Sequence, residues 1–446
     1  MATQNTQFSF VTFLQAEQEL ALRLSDSGNN FWLEAELKLY IQEALSFWNL
    51  LTSYWPQDYT FSLDPPLASN WIATNEAGPR EQTYTDATLY AIMLYHLLEP
   101  QLSSGVWTGT TQFSLPDLTQ AIQRKRDEVL QATGGNMAAL TLPVTPATDR
   151  IYLPDSTLDV RRVRYLAQDG TSATLVKGDT LSFMRFSPDY QQTQKQPSRY
   201  DVLGSPPLAL TLDTHTNQTA NLAILALKAG NTLTPPSATP LQVPNDWAWG
   251  IKYGALADVI GKESEATDRQ RAAYCQQRYQ DFLKLTNAMP WLLQGFINDV
   301  AVDTTAVISK DRYSYEWEAN PNAWPGVVIG GVDLCAVSPI PTDPASPVGV
   351  RLTLVGNAPQ PSADGDYVQV PRDVLDVLLD YAQHIASFKM GGAEFQATMP
   401  LYQNCIRYAL ETSLRLRRSG IFATDLRPPV SKQDLADPRT DQQGGA

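Results

Sequence analysis

The sequence predicts an α+β protein that is mainly a helical bundle with β-rich insertions and an extended C-terminal arm. Apolar residues follow a helical period near the start of the chain, alternate from about residue 136, and become sparse after residue 420. Periods of about 3.6 and 2 residues distinguish helices from strands. These changes divide the chain into an N-terminal helical region at 1–135, a β-rich insert at 136–245, a helix pair at 246–290, a second β-rich region at 291–370, a C-terminal helix pair at 371–420 and an extended arm at 421–446.

The first helix is predicted from an apolar stripe that begins near residue 33. Its members recur at spacings of four, four, four and three residues: Leu33, Leu37, Ile41, Leu45 and Trp48. This spacing places the side chains on one helical face. Asn29 and Asn30 precede the stripe, and we expect them to cap the helix by accepting hydrogen bonds from its free N–H groups.

Two further helices are predicted in the N-terminal region. Residues 85–98 have a helical pattern. Another helix is expected to begin at Ser114, because Asp117 follows three residues later in a pattern similar to a capping box. Its apolar stripe ends before Gly134, and glycine is common at a helix C-terminus.

β-Strands are predicted in both β-rich segments, where turn residues separate short apolar runs. The predicted strands lie at 159–165, 208–212, 221–228 and 348–354. Asp169 and Gly170 follow the first of them, and an Asp-Gly pair is typical of a hairpin turn.

One pattern occurs twice in the chain, at 241–262 and at 368–389. Each copy has a Val-Pro step, then an Asp, and then a helix with a tyrosine that is followed 21 residues later in the chain by a second tyrosine. These tyrosines are Tyr253 and Tyr274 in the first copy, and Tyr381 and Tyr402 in the second. The likeness fits an internal repeat, two uses of one structural module, or chance punctuation. In each case we expect the tyrosines to pack between helices rather than to catalyse a reaction.

Composition and charge narrow the classes of protein to which this chain could belong. The formal net charge is −14, whereas proteins that bind nucleic-acid phosphates normally carry a basic surface. No apolar run reaches the length of a membrane span, and the N-terminus lacks the pattern of a signal peptide. The three cysteines are far apart, which fits reduced thiols in a cytosolic setting. None of the three histidines has a neighbour at metal-ligand spacing, so no metal or cofactor is expected.

No familiar catalytic pattern occurs in the sequence. Phosphate-binding glycine loops, the nucleophile elbow and the zinc-protease helix motif are all missing. Two carboxylate pairs could in principle hydrolyse a glycoside: Glu263 with Glu265, and Asp364 with Asp366. Both pairs lie in polar turns, where solvated acids are the ordinary case. We therefore predict that the protein is not an enzyme.

Basic residues near the C-terminus are the candidate partner-contact site. Cations at the end of a helix also interact favourably with the helix dipole, so a solvated helix end is the competing interpretation. Arg427 and the prolines after it could form part of an extended docking strip. The candidate contact residues are Arg415, Arg417, Arg418, Arg427, Pro428 and Pro429.

Five stretches, taken in order, resemble the head-to-tail adaptor proteins of tailed bacteriophages, which are also called connector or neck proteins. The stretch NNFWLEAELKLYIQEALSFWNLLTSYW resembles the N-terminal helical signature of that family, and FSLPDLTQAIQRKRDEVL is similar to its next helix. The other three are IYLPDSTLDVRRVRYLAQDG, VPNDWAWGIKYGALADVIGKESEATDRQRAAYCQQRY and DVLLDYAQHIASFKMGGAEF. This chain is longer than small adaptors, which would end near residue 290.

The resemblance implies a structural virion protein that forms a ring, commonly of twelve copies, at the head–tail junction. Such a ring joins the capsid portal protein to the next neck or tail protein and extends the DNA channel. Double-stranded DNA would pass through it during packaging and ejection without sequence-specific binding. The protein would be assembled in the host cytoplasm, without membrane contact. The alternatives are a baseplate or tail-tip protein and, from other classes, a virion-associated glycan hydrolase or a carbohydrate-binding module.

Overall fold

The computed structural model describes most of the chain between residues 11 and 418. The described residues are 11–63, 71–73, 81–101, 112–146, 148, 150–186, 189, 192–204, 208–235, 238–262, 268–288, 292–306, 310–311, 317, 324–332, 334–338 and 348–418. The helices are α1 (Phe13–Arg23), α2 (Glu34–Thr52), α3 (Asp86–Leu97), α4 (Leu115–Thr133), α5 (Thr180–Phe186), α6 (Ala248–Ile260), α7 (Arg269–Ala288), α8 (Arg372–Ser387), α9 (Gly392–Ala397) and α10 (Met399–Arg418).

The strands form two seven-stranded sheets. The first sheet has the order β1-β14-β10-β11-β12-β13-β2, and the second has the order β3-β9-β5-β6-β7-β8-β4. The strands are β1 (Pro56–Leu63), β2 (Trp71–Ala73), β3 (Met137–Val144), β4 (Ile151–Tyr152), β5 (Thr157–Ala167), β6 (Ser172–Lys177), β7 (Arg199–Leu203), β8 (Ala209–Leu212), β9 (Ala220–Lys228), β10 (Leu292–Ile297), β11 (Val300–Ala306), β12 (Gly326–Ile329), β13 (Leu334–Ser338) and β14 (Val348–Val355). Most pairs are antiparallel, but β6–β7 and β11–β12 are parallel.

The prediction of a mainly helical bundle with β-rich insertions was wrong. The two large mixed sheets account for 27% strand against 42% helix, so the β-structure is a principal part of the architecture. The physical reason is long-range pairing. β1 pairs with β14 along its whole length, with Tyr59 opposite Leu352, although almost 300 residues separate them in sequence. Periodicity indicates a strand but does not indicate its partner.

Strand β1 also lies in the N-terminal region, for which helices were predicted. Its sequence does alternate, with Tyr59, Phe61 and Leu63 pointing to one face of the pleat. Leu63 is buried in the core of the first sheet, and the two aromatic side chains pack against that core. The alternation that marks β1 is therefore present in the sequence.

Most predicted helices and strands are confirmed. The helix predicted at 85–98 is α3. Helix α4 has Ser114 as its N-cap and Gly134 as its left-handed C-cap, both as predicted. In the second sheet, the turn at Asp169-Gly170 joins β5 to β6 as an antiparallel hairpin.

The apolar stripe of α2 is buried as predicted from Leu37 onward, but its cap is different. Leu33 is the N-cap residue and is half exposed, and no side chain caps this helix. Asp26 instead organises the preceding loop, because its carboxylate accepts hydrogen bonds from the backbone N–H groups of Asn30, Phe31 and Trp32. The predicted caps at Asn29 and Asn30 were therefore wrong.

The helices other than α5 share one apolar core, with α2 in contact with most of the others. Gly250 in α6 lies against the Phe282 ring of α7, where an added Cβ would come within 2.3 Å of that ring. Glycine is therefore needed for these helices to approach each other. Among the described helices, none is long and apolar enough to cross a membrane.

A smaller cluster joins the two sheets. Leu225 and Leu227 of the second sheet pack with Val328 and Leu334 of the first sheet, and the fully buried Trp317 completes the cluster. Because this apolar seam connects the sheets, the β-structure forms a continuous body rather than separate insertions.

Candidate functional site

Helix α2 supplies two buried carboxylates to the centre of the helical body. Glu36 and Glu43 lie seven residues apart, which places them on the same side of the helix. Glu36 forms an ion pair with Lys389 at 2.9 Å, and Glu43 forms one with Lys252. Lys252 belongs to the first copy of the repeated pattern and Lys389 to the second. Each copy is therefore tied to α2 by a buried ion pair.

The Lys252 ammonium group is the more deeply buried of the two cations. Lys252 has no exposed surface, and its Nζ contacts both the Glu43 carboxylate and His96 Nε2, the latter at 3.2 Å. An ammonium group can only donate hydrogen bonds, so His96 Nε2 accepts and the ring proton lies on Nδ1. Burial lowers the pKa of His96 well below its usual value, and the charge of Lys252 lowers it further. The histidine is therefore neutral.

Arg278 on α7 lies inside a cage of aromatic rings. Its guanidinium carbon is 4.3–5.4 Å from five ring centroids, those of Tyr402, Phe47, Tyr253, Trp249 and Tyr381. Its Nη2 also donates to the Tyr381 hydroxyl. Within the part of the chain that the structure describes, no carboxylate lies within ion-pair distance of Arg278. The electron-rich faces of the rings thus provide the stabilisation that an acid would normally provide.

The aromatic cage is where the two copies of the repeated pattern meet. Tyr253 comes from the first copy and Tyr381 and Tyr402 from the second, while Tyr274 packs against Tyr253 with centroids 6.0 Å apart. The prediction that these tyrosines pack between helices is confirmed. The site is a joint between helix pairs, and it holds charge without exposing it to solvent.

Exposed apolar side chains form a first candidate contact surface on α5. Leu181 and Met184 are 72% and 49% exposed, and a spacing of three residues places them on one face of the helix. Phe183 points the other way and is buried. The short helix is thus anchored by one ring and presents two apolar side chains to solvent. We call Leu181 and Met184 the α5 surface.

Three further exposed apolar side chains belong to the chain neighbour of Lys389 or to the two segments that its ammonium group contacts. Phe31 and Met390 are each nearly half exposed, and Leu98 is more exposed still. The Lys389 Nζ lies 4.7 Å from the Phe31 ring centroid and 6.0 Å from that of Tyr95, one turn before Leu98. These contacts bring the ends of three helical segments together. We call Phe31, Leu98 and Met390 the Lys389 surface.

The partner-contact residues predicted from sequence cannot be placed in either surface. The backbone of α10 extends to Arg418, but the side chains of Arg415, Arg417 and Arg418 lie outside the described residues. The other three predicted contact residues lie wholly outside them: Arg427, Pro428 and Pro429. The two apolar surfaces were missed by the sequence reasoning, since an exposed leucine has no signal that separates it from a buried one.

The carboxylate pairs considered for catalysis have ordinary structural environments where they are described, and so do two of the cysteines. Asp366 accepts backbone N–H groups of Ser362 and Ala363 in a turn, and these hydrogen bonds lower its pKa. Asp364 pairs with Lys38 at the surface. Burial raises the pKa of Cys275 and Cys405 to about 12, which keeps these thiols protonated at neutral pH. Glu263 and Glu265 lie outside the described residues.

The fold and site together define a mixed α+β protein whose helix pairs are joined by buried charges. No protein family model matches this chain. A comparison with curated proteins gives no match either.

The buried His384 should make stability depend on pH. Thr398 donates its hydroxyl hydrogen to a carbonyl, so it accepts from His384 Nδ1, and Nε2 then accepts from Tyr274. Burial, together with the charge of Arg278, lowers the pKa of His384 to about 3, against about 6.5 in an unfolded chain. Between these values the unfolded chain binds one more proton. Stability should therefore fall as pH decreases, by about 1.4 kcal/mol per pH unit for this residue.

The test is denaturant unfolding of the protein and of His384→Phe between pH 7 and pH 4.5. His384→Phe should show a shallower loss of stability, smaller by about 2 kcal/mol at pH 5. Comparing slopes removes the constant cost of the lost hydrogen bonds. Parallel slopes in the two proteins would show that His384 takes up its proton in the folded state.

Proposed function

We propose that this protein is a structural virion subunit that assembles into a ring between the capsid portal and the neck or tail. The observation that carries the proposal is the presence of two groups of exposed apolar side chains, the α5 surface and the Lys389 surface. Ring closure requires two different patches that bind each other head to tail. Large exposed apolar side chains that cluster on a surface mark such contacts. The resemblance to tailed-phage adaptors supports a position for the ring at the head–tail junction.

The joint at Arg278 supports a mechanical role. A subunit that transmits force between a head and a tail needs helices that do not move relative to one another. Buried ion pairs and a filled aromatic cage restrict such movement, since any shift would expose charge or leave it unpaired. The net charge of −14 supports passage of DNA through the ring, because like charges weaken adhesion to phosphates.

The proposal predicts that the purified protein forms rings and that the α5 surface contributes to their formation. Changing both Leu181 and Met184 to Asp should weaken association at least tenfold, because charge would replace apolar contact area. The thermal midpoint of the subunit should change little, as both side chains are exposed. Mass photometry and negative-stain microscopy measure copy number and shape, first alone and then with the portal protein.

Lys284→Asp is the matched control. It makes the net charge more negative by the same amount as the two aspartates do, at an exposed position of α7. It should leave association unchanged. A protein that stays monomeric alone and with the portal protein would contradict the proposal. A ring that binds only distal tail components would identify a baseplate or tail-tip protein instead.

A further inference from the structure

Strand β1 has an open outer edge within the part of the chain that the structure describes. It is the terminal strand of the first sheet and pairs with β14 on its other side. No backbone hydrogen bond joins residues 56–63 to described residues outside β14. An open edge of this length is a template for pairing with a further strand.

The pairing with β14 shows which backbone groups of β1 point outward. The Trp55 carbonyl accepts a hydrogen bond from the Gly356 N–H group at 2.9 Å, so Trp55 faces β14. Successive residues of a strand direct their N–H and C=O groups to opposite sides. The residues that face away from β14 are therefore Pro56, Asp58, Thr60 and Ser62. Because proline has no N–H group, this edge offers three N–H donors and four carbonyl acceptors.

The two faces of β1 differ in polarity. Asp58, Thr60 and Ser62 are exposed on one face. On the other face, Tyr59 and Phe61 have ring centroids 5.2 Å apart, and both rings are only partly buried at the margin of the sheet core. A strand added to this edge would cover the two rings if its apolar side chains alternated with polar ones.

The polar face also carries charges of both signs. The half-exposed Asp58 carboxylate accepts a hydrogen bond from the Thr353 hydroxyl at 2.6 Å and lies 3.7 Å from Arg351 Nη1. Arg351 itself is opposite Thr60 in the pairing with β14. Opposite charges on neighbouring strands attract. An added strand therefore fits best with a cation opposite Asp58 and an acid opposite Thr60.

Residues 421–427 of this chain have the required pattern. Their sequence is Ile-Phe-Ala-Thr-Asp-Leu-Arg, and they lie outside the described residues. In an extended strand, Phe422 and Leu426 share one face, while Asp425 and Arg427 share the other. The spacing of two residues between this acid and this cation equals the spacing between Thr60 and Asp58 on β1.

We propose that residues 421–427 pair with the outer edge of β1 as an antiparallel eighth strand of the first sheet. Arg427 lies opposite Asp58 and Asp425 lies opposite Thr60, so both charges are matched. Each of these pairs exchanges two backbone hydrogen bonds, as in other cases where a peptide adds a strand to a sheet. The proposal concerns this one contact and does not depend on ring formation.

Disulfide trapping in the full chain tests the pairing. Thr60→Cys combined with Asp425→Cys places two thiols in an opposed pair, whose Cα atoms lie about 5.5 Å apart. Disulfides span about 4.4–6.8 Å between Cα atoms. Oxidised glutathione should therefore link these cysteines, and the native cysteines are buried and should not compete. Peptide mass mapping identifies the bond, and the mass of the linked product shows whether the segment comes from the same copy or from a neighbouring one.

Thr141→Cys combined with Asp425→Cys is the matched control. Thr141 is an exposed threonine on β3, the terminal strand of the second sheet, and it should link at least tenfold more slowly. Non-reducing gel electrophoresis measures both rates, and thermal unfolding establishes that the variants are folded.

The charge match is tested in the Thr60→Cys, Asp425→Cys protein. Arg427→Asp should slow the linkage at least threefold, because it places an acid opposite Asp58, whereas Arg427→Lys should not. The proposal is overturned if no disulfide forms, or if the Thr141 variant links as fast as the Thr60 variant. It is also overturned if Arg427→Asp leaves the rate unchanged.

Discussion

Replacing Lys252 with methionine is expected to lower the free energy of unfolding by about 3–5 kcal/mol. The substitution leaves the Glu43 carboxylate buried without its cation. A buried charge that has lost its partner is costly, because the protein interior does not replace the hydration that the charge gave up. His96 would lose the hydrogen bond from Lys252 Nζ as well. Denaturant unfolding followed by tryptophan fluorescence measures the change.

A double-mutant cycle separates the ion pair from the packing around it. Glu43→Gln should be destabilising alone, because Lys252 then lacks a carboxylate. The double variant Glu43→Gln with Lys252→Met should be less destabilised than the sum of the single changes, by about 1–3 kcal/mol. Lys284→Met is the control, because Lys284 is 74% exposed in its pair with Asp281; it should cost less than about 1 kcal/mol. Additive single changes would mean that the buried pair has no coupling energy.

The local structure was largely predictable because local signals determine it. Ser114 and Asp117 fixed the start of α4, and Asp169-Gly170 fixed a hairpin. The sheets were underestimated, because β1 and β14 are far apart in the sequence and no pattern within either strand names the other. The helix-to-strand change near residue 136 was visible, but its extent depended on pairings that only the folded chain shows.

The buried centre was predictable only in part. The spacing of the paired tyrosines indicated that Tyr253 and Tyr381 occupy equivalent positions, and both are fully buried. Nothing in the sequence separated Arg278 from the other arginines of α7. Lys252 and Glu43 were equally inconspicuous, since charged residues are usually exposed. Their partners come from other helices, so only the assembled core reveals them.

Arg278→Ala is the second change expected to have a large effect, a loss of about 3–5 kcal/mol in the free energy of unfolding. Arg278 is 2% exposed, and truncating a large buried side chain costs about this much through lost contacts and the cavity left behind. The cage rings would lose a cation, each contact being worth about 0.5–2 kcal/mol. The Tyr381 hydroxyl would also lose its donor. Because the cage joins the two helix pairs, hydrogen exchange should accelerate in α8 and α10 as well as in α7.

Two further variants show what the guanidinium contributes beyond its volume. Arg278→Met keeps an unbranched chain and removes a charge that is costly to bury. It should therefore lower the free energy of unfolding less than Arg278→Ala does. Arg278→Lys keeps the charge but loses the flat guanidinium group, whose carbon lies 4.3 Å from the Tyr402 ring centroid. The lysine ammonium group is also more strongly hydrated. Arg278→Lys should therefore lower the free energy of unfolding more than Arg278→Met does. Arg269→Ala, at an exposed position of the same helix, should change stability by less than about 0.5 kcal/mol. If Arg278→Ala were equally mild, the two helix pairs would have to be held together by contacts other than this cage.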